Sequence, residues 1–300
     1  MVEDKPETSV DKSRWQGIAI LAECVGNRLH PITLELLGKA LEMAAPAGTP
    51  VFAVVIGWQV TSAAESLKYY GADKIYVYDD RHLEHFEPLR YAMCAADFIE
   101  KVRPSVVLAG ATSMGRSLAP RIAARFRTGI TADCTGLALR DNGNLVQTRP
   151  AFGGNIMAQI VTPHTRPQMC TVRYRVFDAA PRRENPTAQV EVMAVPHGLA
   201  NVGAQVLDVL AKPEELDISE AEVIVAVGRG VKDEAGLRLA KKLADILGAQ
   251  LACTRPMVEN GRFDPRRQIG LSGRTVKPKL IVSIGVSGAV QFAAGMDKSE

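Results

Sequence analysis

The sequence predicts an α/β fold in two domains, each built on a mainly parallel, doubly wound sheet flanked by helices, the first with an added antiparallel β segment. Its 300 residues correspond to about two average domains. Short apolar runs alternate with segments of helical periodicity over 17–126 and again over 223–291, which is typical of βαβ units. Between these regions, over 131–177, short β-type segments dominate.

The composition is that of an ordinary globular protein and excludes several function classes. Hydrophobic residues make up 47% and charged residues 23%, and the net charge is only +3, so we expect neither a nucleic-acid binder nor an anionic-membrane binder. No apolar run approaches the roughly 18 residues that a membrane-spanning helix needs. The five cysteines are dispersed without a CxxC motif, which predicts reduced thiols in a cytoplasmic protein and no zinc or iron–sulfur site.

The first domain is predicted to follow a polar, disordered lead-in over 1–16 and to extend over 17–200. Its strands are predicted over 17–24, 51–56, 75–78 and 105–109, and its helices over 34–45, 63–70, 91–102 and 117–126. Gly57 closes the second strand, and Gly71 ends the second helix from the C′ position.

The antiparallel addition is predicted from four β-type segments, over 136–140, 144–152, 157–163 and 169–177. The segment 179–196 is rich in proline, arginine and polar residues, and we interpret it as a crossover or linker that offers one further strand over 190–193. A mobile joint is expected near 185–215.

The second domain is predicted over 201–300. Its strands are predicted over 223–227, 250–253 and 280–284, and its main helix over 237–247, capped by Gly248. A turn that begins at Gly285 is predicted to open a further helix.

Polar residues and glycines follow all three of these strands, at the edge where open α/β sheets bind ligands. These segments are Gly228-Arg229-Gly230, Thr254-Arg255-Pro256 and 285–291, with a glycine-punctuated loop over 268–274. Arginine can fork onto a phosphate, and a turn that opens a helix presents N–H groups to an anion. The structural alternatives are tight turns, a solvated or ion-paired arginine and a plain surface loop.

No set of side chains points to catalysis by the protein itself, so we predict no catalytic residues. The five histidines are isolated, and no Ser-His-Asp or Cys-His ordering is present: His30, His82, His85, His164 and His197. A nucleotide-like cofactor that the protein orients and tunes fits best. The segment 110–116 also follows a strand and opens a helix, and we favour a structural or interface role for it over phosphate binding.

Long motifs in the chain resemble the alpha subunit of the electron transfer flavoproteins. They are GATSMGRSLAPRIAARFRTGITADCTGL (110–137), TRPAFGGNIMAQI (148–160), RPQMCTVR (166–173), VGRGVK (227–232), TRPMV (254–258), QIGLSGRTVKP (268–278) and IGVSGAVQFAAGM (284–296). The resemblance covers nearly the whole chain after the lead-in, in order.

The resemblance implies a heterodimer that shuttles electrons through FAD. The beta subunit of the family holds AMP, or a second FAD in the electron-bifurcating branch, and the redox partner is an acyl-CoA dehydrogenase-type or NADH-linked enzyme. We expect the subunit interface on the first domain, with the segments 149–155 and 166–169 in it. The alternative is a non-redox nucleotide-binding or scaffold paralogue that serves as an interaction module.

The resemblance also implies the residues that hold FAD. Carried over motif by motif, they are Arg229, Thr254, Arg255, Ile269, Gly270, Leu271, Ser272, Ser287, Gly288, Ala289, Val290 and Gln291, with the adjoining Gln268 and Phe292. Phe292 stands where many members of the family have histidine. Those members continue beyond the Gly295-Met296 pair into further strands, so the second domain is expected to be truncated at its C-terminal end.

Overall fold

The chain forms two compact units. A computed structural model describes residues 10–151, 156–186, 188–210, 217–297 and 299. Unit 1 comprises Met1–Arg149 and Ala158–Asp208, and unit 2 comprises Pro150–Met157 and Val209–Glu300. The domain boundary expected at residue 200 stays a prediction. Of the expected lead-in, residues 1–9 lie outside the described residues, and Lys12–Arg14 forms a single 3-10 turn.

From the start of the described chain to Arg125, strands and helices alternate as predicted, and further strands follow up to residue 208. They are β1 (Ile18–Ala22), β2 (Cys24–Val25), β3 (Arg28–Leu29), α1 (Pro31–Ala47), β4 (Val51–Gly57), α2 (Thr61–Leu67), β5 (Lys74–Asp79), α3 (Pro88–Val102), β6 (Val106–Gly110), α4 (Ser113–Arg125), β7 (Ile130–Cys134), β8 (Gly136–Leu139), β9 (Leu145–Ala151), β10 (Ile156–Ile160), β11 (Gln168–Val172) and β12 (Gln189–Val192).

Seven of these strands form one sheet in the order β12-β5-β4-β1-β6-β11-β7. Each neighbouring pair in it is parallel. Successive residues of β1 point to opposite faces of the sheet. Ile20 belongs to the same core as Leu36 of α1, and Leu21 belongs to the core that contains Phe98 of α3. Helices therefore cover both faces, which confirms the doubly wound architecture.

Local signals fix the ends of α1. His30 caps the helix because its Nδ1 atom accepts the N–H of Ile32 at 3.2 Å, and Pro31 takes the first helical position. Gly48, with φ of +57°, ends it. The helix is longer at both ends than the apolar periodicity over 34–45 indicated, because caps and not core contacts set its limits.

The segment that the sequence assigned to an antiparallel addition divides between two sheets. β8 and β9 pair antiparallel, and β10 lies next to β9, as expected. The prediction for 169–177 was wrong, because β11 lies inside the parallel sheet between β6 and β7. The segment 166–169 is buried there, so it is not an interface segment either. Of the other expected interface segment, residues 152–155 lie outside the described residues.

Unit 2 contains a small parallel sheet of the predicted strands. Its elements are β13 (Val223–Val227), α5 (Glu234–Leu247), β14 (Gln250–Cys253), α6 (Arg255–Glu259), β15 (Leu280–Ile284) and α7 (Val290–Ala293), and the strand order is β14-β13-β15. The helix expected to open at Gly285 begins only at Val290 and spans four residues. Within the described ranges, we find no helix that is both long and apolar enough to cross a membrane.

Candidate functional site

The carboxyl ends of three adjacent strands bring the predicted loops of unit 2 to one edge. In the register of the sheet, Val227 at the end of β13 lies beside Cys253 at the end of β14 and beside Ile284 at the end of β15. The segments 228–230, 254–255 and 285–289 therefore leave the sheet side by side. The convergence that the sequence predicted is thus present in the fold.

Three glycines hold two of these loops in direct backbone contact. The N–H of Gly228 donates to the carbonyl of Ile284 at 2.8 Å, and the N–H of Gly230 donates to that of Gly285 at 2.9 Å. A Cβ at Gly228 would overlap the Gly285 carbonyl oxygen, and one at Gly230 would lie 2.8 Å from the Gly285 Cα. Only glycine permits this approach, which leaves a flat backbone platform at the strand ends.

Arg229 projects from this platform. Its side chain is exposed, and it makes no hydrogen bond or ion pair with any residue that the structure describes. A guanidinium without a protein partner at the carboxyl edge of a parallel sheet is free to bind an anionic group.

Thr254 and Arg255 begin α6 at the end of β14. The N–H of Thr254 donates to the carbonyl of Val227 at 3.0 Å, and its hydroxyl does not cap the helix. Arg255 is exposed and its Nε lies 2.8 Å from Oε1 of Glu259, so the surface ion pair that was the structural alternative for this residue is present. An exposed pair of this kind is weak and leaves Arg255 able to change partner.

The loop 268–274 is attached to β14 through its backbone. Ile269 donates its N–H to the carbonyl of Cys253 at 2.9 Å, and Arg274 donates to the carbonyl of Gln268 at 2.7 Å. Gly273 donates to the carbonyl of Gly270 at 2.9 Å. These bonds close the loop on itself and fix it beside the strand end.

Inside this loop, the side chain of Gln268 holds that of Ser272. The Nε2 atom of Gln268 donates to Oγ of Ser272 at 3.0 Å, and Gln268 is buried. Since the serine hydroxyl accepts this bond, its own proton stays available for an external acceptor. Among the described residues, the Ser272 hydroxyl makes no bond to the backbone of its own turn, which was the competing interpretation.

The same loop is joined to the start of α7. Leu271 donates its N–H to the carbonyl of Gln291 at 2.9 Å. Gly270 has φ of +136°, and a Cβ there would lie 2.7 Å from that carbonyl oxygen, so only glycine suits the position. Ser287, Gly288, Ala289 and Val290 are exposed beside this junction.

Phe292 is placed differently from the other candidates. Its ring is buried in the small core of unit 2, in the same cluster as Ile224, Ala252 and Ile269. Its side chain therefore anchors α7 from within, and a direct contact between Phe292 and a cofactor stays a prediction.

Sequence reasoning missed two arginines near this edge. Arg262 donates from Nη2 to the carbonyl of Lys232 at 2.8 Å, and Arg267 donates from Nη1 to the carbonyl of Leu251 at 2.8 Å. Both side chains donate to backbone carbonyls of neighbouring segments. The three arginines within 262–267 were the available signal.

The groups that the described residues bring to this edge are hydrogen-bond donors, a cation and a buried thiol. Burial raises the pKa of the Cys253 thiol to about 12, so this cysteine is not a nucleophile at neutral pH. The glycine platform, the exposed guanidinium of Arg229 and the oriented hydroxyl of Ser272 together fit a large ligand with phosphates and a polar ring edge, such as a dinucleotide.

Comparisons with protein-family models and with known proteins show what the chain is similar to. The model of the electron transfer flavoprotein domain matches residues 18–197, and that of the electron transfer flavoprotein FAD-binding domain matches residues 217–297. The chain is 54% identical over 300 residues to the lactate dehydrogenase (NAD(+),ferredoxin) subunit LctC of Acetobacterium woodii, covering 100% of this chain and 72% of that one.

Two further relatives extend the range of the similarity. The electron transfer flavoprotein subunit alpha of Thermoanaerobacterium thermosaccharolyticum is 40% identical over 286 residues, or 95% of this chain and 87% of that one. The acryloyl-CoA reductase electron transfer subunit beta of Anaerotignum propionicum is 34% identical, over 97% of this chain and 88% of that one.

Proposed function

Because the chain belongs to the electron transfer flavoprotein family, as an alpha-type subunit with FAD as its cofactor, we propose that it carries electrons between a dehydrogenase and a second redox partner. The single observation that supports this most is the meeting of Arg229, the glycine platform and the 268–274 loop at one sheet edge of the FAD-binding domain. Flavin supplies the electron-accepting chemistry, and the side chains of this edge position it.

The residues at this edge would bind different parts of the cofactor, according to the chemistry of their side chains. Arg229 and the N–H groups of 287–289, which donate to no acceptor that the structure describes, would bind anionic phosphate, because phosphate accepts hydrogen bonds from a guanidinium and from backbone donors. Ser272, oriented by Gln268 at 3.0 Å, donates to the polar edge of the ring system. Arg255 supplies positive charge nearby, which favours added electron density.

The subunit pairs with a beta subunit, as is typical of its family, and we place the contact on β10 of the described chain. Ile156 is 54% exposed and Ile160 is 36% exposed, and residues four apart on a strand share one face. Exposed apolar side chains on one face of a strand favour a protein interface there. AMP or a second FAD would then lie on the beta subunit.

For the dehydrogenase, we favour an enzyme that oxidises a 2-hydroxy acid. The relative with 54% identity carries lactate dehydrogenase, NAD(+) and ferredoxin in its name, which also supports an electron-bifurcating system. The second candidate is an enzyme of acyl-CoA substrates, supported by the name of the relative with 34% identity.

Anaerobic mixing tests these candidates. The heterodimer, purified with its beta subunit, is mixed with a flavin-dependent lactate dehydrogenase and lactate, or with an acyl-CoA dehydrogenase and butyryl-CoA, and flavin absorbance is followed. We expect bleaching with lactate and much slower bleaching with butyryl-CoA. Faster bleaching with butyryl-CoA would favour the second candidate, and a heterodimer without bound flavin would support the scaffold alternative.

A further inference from the structure

Unit 1 contains a crevice of the type that binds nucleotides in other α/β sheets. The chain runs from β1 to β4 and β5 on one side, and then crosses to β6 on the other side of β1. The carboxyl ends of β1 and β6 are therefore the point where the strand order reverses. Ligands of open parallel sheets bind at such a point.

The start of α4 lies in this crevice and is built to face an anion. Thr112 caps this 13-residue helix, and its Oγ1 accepts the N–H of Gly115 at 3.0 Å. The N–H groups of Ser113 and Met114 donate to no acceptor in the described chain. Free first-turn donors and the helix dipole favour negative charge at this position.

The side chain of Glu23 already occupies the crevice. Glu23 is only 7% exposed, and the hydroxyl of Thr112 lies 2.8 Å from Oε1 and 2.7 Å from Oε2 of its carboxylate. A Cβ at Gly110 would lie 2.7 Å from Oε1, and a Cβ at Gly115 would overlap the carbonyl oxygen of Gly110. The carboxylate therefore fills the space that Gly110 leaves open, while Gly115 packs directly against the Gly110 backbone.

The backbone of Glu23 holds this side chain in place. Its N–H donates to Oγ1 of Thr33 at 2.9 Å, and its carbonyl accepts the N–H of His30 at 2.8 Å. Both partners belong to the start of α1. The carboxylate is thus fixed at the strand end and does not sample the solvent as a surface glutamate does.

The placement is costly for Glu23 itself. Burial raises the pKa of the carboxyl, and the hydrogen bond from Thr112 offsets this only in part. One hydroxyl is a poor replacement for the water that a carboxylate loses on burial. A cost of this kind at a ligand crevice suggests a role other than stability.

We propose that Glu23 is a built-in acidic plug, which takes the position of a nucleotide phosphate in unit 1 and so excludes mononucleotides from it. The plug leaves unit 2 as the nucleotide-binding part of this chain. Glu23 is then a specificity-determining residue, and shortening its side chain opens a phosphate site beside Gly110 and Thr112, at the start of α4.

The test counts AMP bound to the purified heterodimer by equilibrium dialysis. Wild type is compared with Glu23→Ala, which empties the crevice, and with Glu23→Gln, which keeps it filled without the charge. AMP on the beta subunit is common to all three and cancels in the comparison. We expect Glu23→Ala to bind one more AMP than wild type, at least about tenfold tighter than any residual binding there, and Glu23→Gln to match wild type.

Two results of the dialysis would overturn the plug. The first is no additional bound AMP in Glu23→Ala at unchanged FAD content. The second is additional bound AMP in Glu23→Gln, which would show that charge and not occupancy excludes the nucleotide. Glu23→Ser serves as a second emptied variant if Glu23→Ala does not fold, and failure of both to fold would assign Glu23 to stability. FAD content is read in the same samples, so failure of the proposed function is seen separately.

Discussion

The side-chain amide of Gln268 donates to the hydroxyl of Ser272 at 3.0 Å, and this bond turns the serine proton outward from the 268–274 loop. The acceptor side of the hydroxyl is occupied, so its donor side faces whatever binds at the sheet edge. Ser272 is exposed, so we expect its removal to weaken the interaction with a bound ligand without lowering the stability of the fold.

Replacement of Ser272 by alanine should therefore lower the reduction potential of the bound flavin. A lost hydrogen bond to a charged group is worth about 1.5–3 kcal/mol, and no buried atom is removed. Redox titration of the heterodimer measures the shift, with Ser272→Thr as the control that keeps the hydroxyl. An unchanged potential with a lower melting temperature would assign Ser272 to the loop alone.

Arg255 should tune the same potential through its charge. Arg255→Ala removes a cation that favours added electron density, so the potential should fall by the equivalent of about 1 kcal/mol, the size of a charge interaction at 4 Å in water-like surroundings. Glu259→Gln frees Arg255 from its 2.8 Å ion pair and should leave the potential equal or higher. If the alanine variant titrates like wild type, Arg255 is a surface residue only.

Glu35 should make the stability of unit 1 depend on pH. Burial raises the pKa of its carboxyl to about 7, and hydrogen bonds from backbone N–H groups over 175–177 partly offset this. The folded state then holds a proton that the unfolded state releases at lower pH, so this stability is present in acid and is lost as pH rises through about 7.

The pH dependence of the free energy of unfolding is compared with that of Glu35→Gln, whose side-chain amide does not titrate. Between about pH 5 and pH 8, which lie on either side of that pKa, the free energy of unfolding of wild type should fall relative to the variant by up to about 3 kcal/mol. Urea unfolding at both pH values measures it, with the exposed Glu42→Gln on α1 as the matched control. Parallel changes in wild type and Glu35→Gln would exclude a titrating Glu35.

The predicted mobile joint should be confined to residues after Gly203. β12 pairs with β5 in the sheet, Arg90 donates from Nε to the carbonyl of Val202 at 3.1 Å, and a Cβ at Gly203 would overlap the carboxylate of Glu87. By contrast, the residues over 204–210 are exposed and without helix or strand.

Hydrogen exchange of the heterodimer tests this. Amides over 204–210 should exchange within seconds, while those of β12 should be protected by their ladder bonds. Residues 211–216 of the expected joint lie outside the described residues. Equal protection over 204–210 and in β12 would show a packed connection in place of a joint.

Local patterns predicted the strands of unit 2 well because each is a short apolar run with a glycine or polar residue at its end. β13, β14 and β15 have the bounds that the sequence indicated. The convergence of their loops followed from the rule that parallel strands share a carboxyl edge.

What the sequence did not predict depends on distant contacts. β11 joined the parallel sheet because its partners, β6 and β7, lie far from it in the sequence, and an apolar run does not reveal its partner. Phe292 belongs to a core that only the fold assembles. The pairing of Gln268 with Ser272 needed the closed loop, which no local motif specifies.

The proposed function requires that FAD binds at the carboxyl edge of β13, β14 and β15. The most direct measurement is FAD per heterodimer in three samples: wild type, Arg229→Glu, and Arg238→Glu on the exposed surface of α5 as the matched control. Arg229→Glu should lose one FAD per heterodimer, while Arg238→Glu should retain as much as wild type. Full FAD content in Arg229→Glu would contradict the proposed function.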